Sequence, residues 1–170
     1  MDFQALSKER YSLRKFSERP VEEEKLRQIL EAGRNAPTAK NLQPQRIFVL
    51  RSPEAMERAD ACTACHFAPP LMLLVAYDPA QSWHREYDGK DFGEVDAALA
   101  VGQMMLQAAD LGLGSTYIGK FDPAPLHEAF PELKGLEPIA LLPLGYPAEG
   151  AHPSRLHEDR KPIHELIREL

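Results

Sequence analysis

Phe92-Gly93-Glu94-Val95-Asp96-Ala97-Ala98-Leu99-Ala100-Val101-Gly102-Gln103-Met104-Met105-Leu106-Gln107-Ala108-Ala109-Asp110-Leu111 is the stretch whose reading decides the fold. Val95, Ala98, Leu99, Gly102, Met105, Leu106 and Ala109 recur at helical spacing, which predicts one long helix from about Phe92 to Leu111. Alanine and glycine are unusually frequent along it, and small side chains let a second helix or a ligand come close. A helix this apolar and small-sided belongs at the centre of the protein, in a core or at an interface.

Working outward, Gly112 and Gly114 stop that helix, and Ser115 to Ile118 is expected as a strand ending at Gly119. Before it, Leu71 to Tyr77 is an unbroken apolar run expected as a buried strand. Arg46 to Leu50 (RIFVL) is a shorter strand. After it, Asp122-Pro123 opens a short helix through about Ala129, and Pro138 to Leu144 (PIALLPL) is a buried strand followed by the turn Gly145-Tyr146-Pro147. Nearer the start, Val21 to Leu30 reads as a helix, with acidic residues in its first turn and a Leu26, Ile29, Leu30 stripe. Ser52-Pro53 caps another through about Ala59. A polar connector, Ala148 to Asp159, leads to a terminal helix expected over Lys161 to Leu170. Helices and strands in this mixed order point to one sheet covered on both faces. No linker separates two cores, so residues 1–170 are expected as a single domain.

The chain has 170 residues and a net charge of −6, with 44% hydrophobic and 27% charged residues. That fits an ordinary soluble domain with a real core. The acidic balance argues against nonspecific binding to nucleic acid or anionic membrane. The opening MDFQALSKERY is no secretory signal, and the longest apolar run is too short to cross a bilayer. A cytoplasmic protein is the expectation. G-x-G-x-x-G and P-loop motifs are absent.

Cys62-Thr63-Ala64-Cys65-His66 forms a C-x-x-C-H pattern, which can mean haem attachment, redox or zinc chemistry. Haem attachment requires export, zinc wants a second ligand pair, and a thioredoxin-like motif follows a strand rather than preceding one. A structural role for Cys62 and Cys65 is the expectation, and no metal site is expected.

Three separated features invite one explanation. Arg10-Tyr11-Ser12-Leu13-Arg14-Lys15-Phe16 is basic in an acidic chain. In an extended segment Arg10, Ser12 and Arg14 project to one side. Two guanidinium forks and a hydroxyl make a phosphate receptor; taken alone, the stretch reads more readily as an ordinary charged surface. Pro37-Thr38-Ala39-Lys40-Asn41-Leu42-Gln43 is a small, amide-rich loop able to meet the edge of a flat heterocycle. Arg160-Lys161 is a second basic pair near the C-terminus. Glycine after the strand ends, at Ile118-Gly119 and Leu144-Gly145, leaves room for backbone to approach a ring. Trp83 and Tyr87, in the loop Ser82 to Lys90, either line a substrate entrance or close that loop.

The stretches RYSLRKF, APTAKNLQP, MMLQAADLGLGSTYIG, LLPLGYP and RKP, in this order, resemble the FMN-dependent nitroreductase family, most closely its short oxidoreductase members. The resemblance runs from Arg10 to Pro162. It implies an α+β fold, a three-layer α/β/α sandwich with a mixed, mainly antiparallel sheet, as an obligate homodimer with two FMN sites at the interface. By that similarity Arg10, Tyr11, Ser12 and Arg14 serve the flavin from one subunit. Pro37, Thr38, Ala39 and Asn41 reach it from the other. Ile118, Gly119, Leu144 and Gly145 run near the isoalloxazine, and Arg160 and Lys161 complete the phosphate grip. Arg14 is the candidate electrostatic stabiliser of reduced flavin. The implied activity is ping-pong, two-electron hydride transfer from NAD(P)H to quinones, nitroaromatics or similar conjugated acceptors. A flavin-binding dimer without turnover, as sensor or reservoir, is the rival reading. Gln45 and Tyr117 stand where many members have tryptophan, and Tyr11 where arginine or histidine is common.

Overall fold

The structure, a computed structural model, describes residues 2–170. Its α-helices in chain order are α1 (Phe3–Glu9), α2 (Glu23–Arg34), α3 (Pro53–Ala61), α4 (Gly93–Asp110), α5 (Pro123–Ala129) and α6 (Ile163–Leu166). Strands β1 (Gln45–Leu50), β2 (Leu71–Tyr77), β3 (Gly114–Ser115) and β4 (Glu137–Gly145) form one sheet in the order β1-β2-β4-β3. All pairings between these strands are antiparallel. The expected mixed character is reduced to one parallel bridge, Ser12 to Ser115, outside the named strands.

β2 is apolar throughout because both its faces are covered. Side chains alternate across a strand, so Leu71, Leu73 and Val75 join α2 (Leu26, Ile29) and α4 (Val101, Met104) on one face. Met72, Leu74 and Ala76 join α3 (Ala59) and α5 (Leu126) on the other. Helices therefore flank the sheet on both sides. Each leucine fully buried in this way contributes about 1.5–3 kcal/mol of transfer free energy.

α4 is apolar all round, and the structure divides its faces. Ala97, Ala100, Val101, Met104 and Ala108 are buried inward. The stripe read from the sequence is the outward one: Val95 is 42% and Leu99 46% exposed. With most of its residues apolar, the helix offers two overlapping periodic rows, and spacing alone does not say which row faces the sheet.

Two expected elements are shorter than anticipated. Ser115 to Ile118 is not a continuous strand: β3 ends at Ser115, and Ile118 rejoins β4 through paired bonds with Leu141 (2.9 and 3.0 Å). The register is unbroken, and it places Thr116 opposite Pro143. Alternation puts the nitrogen of Pro143 on the same edge as that of Leu141, and proline has no N–H to donate. The expected Lys161–Leu170 helix is reduced to one turn, Ile163–Leu166. Its apolar residues have no body to pack on, with Ile163 71% and Leu166 69% exposed, and so short a helix is marginal without such packing.

Candidate functional site

α1 buries Leu6 and ends at Arg10, whose N–H donates to the Leu6 carbonyl (3.0 Å). The chain then runs extended beside β3. Leu13 is the anchor: it is 1% exposed, its N–H donates to the Ser115 carbonyl at 3.0 Å, and Ser12 bridges Ser115. A Cβ at Gly114 would stand 2.4 Å from Leu13 Cδ2, so glycine there admits the leucine. With Leu13 turned in, its neighbours line a polar pocket of about 230 Å³ that Arg10, Tyr11, Ser12 and Arg14 share with Ser154, Leu156, His157 and Arg160.

Arg10 is the unusual member. Its Nη1 is buried and has no hydrogen-bond partner among the described residues. Burial foremost, and the Arg160 charge second, hold its pKa below the ordinary arginine value. A buried guanidinium donor with no acceptor is costly, and a second cation beside it adds to that cost. Both penalties are relieved by an oxyanion, which guanidinium forks bind with charge-assisted bonds. The residues present thus fit a phosphate-bearing ligand. Arg14 is exposed and donates to the Ser12 carbonyl (3.3 Å). Lys161, though next to Arg160, is exposed and does not line this pocket.

The Pro37–Gln43 loop lies elsewhere on the chain. Ala39–Asn41 form one 3-10 turn, and Lys40, Asn41 and Gln43 adopt positive φ (50°, 56° and 53°). Thr38 organises the turn: its carbonyl accepts from Asn41 N–H (2.9 Å) and its Oγ1 from Gln43 N–H (3.1 Å). The loop is fastened to α4 where Asp96 Oδ1 accepts from Ala39 N–H at 3.0 Å. Pro37 and Asn41 are exposed, Thr38 and Ala39 half-buried. Arg10, by contrast, lines a pocket with Met105 and Ala109 of α4. At about 1.5 Å per residue those two residues are roughly 14–20 Å along the helix from Asp96. Between them runs a cleft of about 740 Å³ on the outer face of α4, with Arg10 near one end and Glu94 at the other.

The remaining expected residues are not gathered at either place. Ile118 is buried in its bridge to Leu141, while Gly119 is exposed, and a Cβ there would meet only Tyr117 Cε1 at 3.7 Å. Leu144 is fully buried in the sheet. The position a Cβ would take at Gly145 lies 2.7 Å from Pro70 and 3.1 Å from Phe16, so on that side glycine serves packing. Trp83 packs on Phe92 with ring centroids 5.0 Å apart and closes its loop, leaving Tyr87 96% exposed at the tip. Cys62 and Cys65 are free thiols. Burial foremost, and the Asp122 charge second, push the Cys62 thiol up, away from the reactive thiolate. Its neighbour Thr63 donates to the Lys120 carbonyl (2.6 Å), stitching this segment to the chain just past Gly119. Among the described residues no group of three or more His, Cys, Asp or Glu is placed to hold a metal ion, and no helix is long and apolar enough to cross a membrane.

Two residues near the site escape a reading of the sequence. His157 stands edge-on to Tyr11 (6.3 Å, 72°) in the polar pocket. It comes from a connector without periodicity, and nothing local marks it. Asp96 does carry a signal: with Ala100, Met104 and Ala108 it lies on one buried row at spacing four, where a carboxylate is out of place.

Comparisons with known proteins agree with this architecture. The model of the Nitroreductase family matches residues 7–71 and 63–146. A Thermus thermophilus protein named NADH dehydrogenase is 30% identical, covering 98% of this chain and 95% of its own. The crystal structure of a nitroreductase family protein from Clostridium difficile superposes with a TM-score of 0.92 at 37% identity, covering 99% of this chain and 98% of that one. A Desulfovibrio desulfuricans protein solved in complex with FMN gives a TM-score of 0.81 at 27% identity, over 100% of this chain and 97% of that one. With the helix-covered antiparallel sheet, the basic segment beside β3 and these matches in hand, the chain belongs to the nitroreductase family.

Proposed function

We propose that this chain is an FMN-dependent NAD(P)H oxidoreductase, working as a cytoplasmic homodimer of single-domain subunits and reducing quinones, nitroaromatics or similar conjugated acceptors in alternating half-reactions. The observation that carries the reading is Arg10, whose Nη1 is buried with no hydrogen-bond partner among the described residues, and which lines a pocket with Ser12, Arg14 and Arg160. These residues would hold the FMN phosphate and ribityl end, with Lys161 adding charge from the rim. When bound, FMN supplies a two-electron hydride carrier at N5. The chain's own part is binding, orientation and electrostatics. Arg14, exposed and donating to the Ser12 carbonyl, can swing to the pyrimidine end and offset negative charge there. No side chain is needed as nucleophile.

Two features support the dimer. The polar pocket, at about 230 Å³, is smaller than the roughly 300–1,000 Å³ of ordinary ligand sites, which suits a site completed by a second subunit. The outer face of α4 is an apolar cleft ending in opposite charges, Arg10 and Glu94. An isologous two-fold contact that sets α4 antiparallel to its copy brings the Pro37–Gln43 loop of one subunit to the basic segment of the other. That contact completes the wall over the flavin, with Pro37, Thr38, Ala39 and Asn41 on one side. Ile118 and Gly119 would run past the ring only in the assembled dimer, with Leu144 and Gly145 backing the site from within the sheet.

The test is direct. Purified protein should be yellow, with FMN released on denaturation. NADH or NADPH added without oxygen should bleach it, and a quinone or nitroaromatic should restore the colour. Bound flavin that neither nucleotide bleaches would favour a flavin-binding dimer without turnover.

A further inference from the structure

Among the described residues Asp96 is the buried charged side chain, at 3% exposure. One carboxylate oxygen accepts the Ala39 N–H at 3.0 Å, and the other is buried without a partner. A half-satisfied buried carboxylate is a poor device for stability, since leaving a charged acceptor unpaired is costly. Its position says what the cost supports. The loop it grips holds three non-glycine residues in the left-handed region, Lys40, Asn41 and Gln43, which relax unless their surroundings fix them. Thr38 closes the turn internally, and the Ala39–Asp96 bond fastens that turn to α4.

We infer that Asp96 is a positioning residue: by holding the Ala39 backbone it keeps the Pro37–Gln43 loop in the shape that meets the flavin held by the other subunit. The inference rests on the flavin reading above. The bond requires an acceptor at Oδ1, not a charge, so an amide oxygen in the same place serves.

Flavin-stripped protein titrated with FMN, followed by flavin fluorescence and by the visible bands of the bound form, tests this. Asp96→Ala should weaken FMN about tenfold, the upper end for one ordinary hydrogen bond. Asp96→Asn should recover affinity to within about threefold, because its carbonyl still accepts. Ala39→Pro removes the donor instead; Thr38 already has the extended backbone (φ −132°, ψ 154°) that precedes proline. It should reproduce the loss, and the double variant Asp96→Ala/Ala39→Pro should be no weaker than the worse single variant. Wild-type affinity in Asp96→Ala or Ala39→Pro overturns the inference, as do additive losses or an Asp96→Asn as weak as Asp96→Ala. If Asp96→Ala does not fold, Ala39→Pro and Asp96→Asn decide: loss in the first with recovery in the second supports it, and any other pattern sinks it. Wild-type protein that binds no FMN refutes the flavin reading itself, a result distinct from wild-type binding that the variants leave unchanged.

Discussion

Arg10 carries a guanidinium nitrogen sealed from water with nothing among the described residues to receive its proton, beside the like charge of Arg160. Such a residue is expensive for the empty protein and valuable to an anionic ligand, and this sets a two-sided expectation. Arg10→Ala should weaken FMN by about 10- to 150-fold, the equivalent of a charge-assisted contact of ~1.5–3 kcal/mol. The same change should leave the flavin-free protein as stable as wild type or more so, since it deletes an unsatisfied buried donor. Fluorescence titration and thermal unfolding of the two flavin-free proteins check both halves, and near-normal flavin content would remove Arg10 from the site. At this scale the sequence was informative where chemistry is local. Arg10, Tyr11, Ser12 and Arg14 sit within five residues, and Arg160 joins them in one pocket. It was silent on His157, which enters only because the connector folds back over Tyr11. At Gly145 it carried no sign that Pro70 and Phe16 fill the side where a Cβ would stand.

Between elements, the turn after β4 is tied to the start of α2 through Tyr146. Its hydroxyl accepts from Lys25 Nζ (2.8 Å) and donates to Glu22 Oε2 (2.6 Å), while Lys25 also reaches the Leu111 carbonyl (2.8 Å) at the end of α4. Three elements therefore meet on the Lys25 ammonium. The Tyr146 hydrogen bond foremost, with help from Arg19, holds the Glu22 carboxyl down to about 2. The sign follows from the depressed value. The folded state favours the charged carboxylate, so this contribution is complete above the ordinary glutamate pKa near 4.5 and fades as pH falls toward 2. Tyr146→Phe should accordingly lower the melting temperature at pH 6–7, by a margin that narrows steadily below about pH 4.5. A margin constant with pH would mean that Lys25, not Glu22, carries the effect. Strong local patterns made most elements legible: β2 is found at Leu71–Tyr77 as read, and Ser52 caps α3 by accepting from Ala55 N–H. What sequence alone did not disclose was set by partners. β3 stops early because Pro143 of β4 stands opposite the next residue, Thr116, and α6 is one turn because nothing among the described residues covers Ile163 and Leu166.

For the molecule as a whole, the outer face of α4 is the feature the monomer leaves open. Val95 and Leu99 are 42% and 46% exposed along a cleft that Arg10 also lines, so in the proposed dimer assembly and cofactor binding are expected to be one equilibrium. Anything that binds only the dimer stabilises it by mass action. FMN should therefore tighten the dimer, and loss of the dimer should release FMN. Leu99→Glu separates this from a folding defect. The side chain is already half in water, so a charge there should cost the monomer little, whereas burying it against its copy across a two-fold axis places two carboxylates face to face. Sedimentation should show wild type as a dimer and Leu99→Glu as a monomer. Circular dichroism should be unchanged, and flavin should be lost, although Leu99 lies well along α4 from Arg10. Added FMN should drive the variant partly back to dimer at high protein concentration. A folded, monomeric Leu99→Glu that retains FMN with wild-type affinity would show that one chain holds the whole site, and the Pro37–Gln43 loop would then have no part in it.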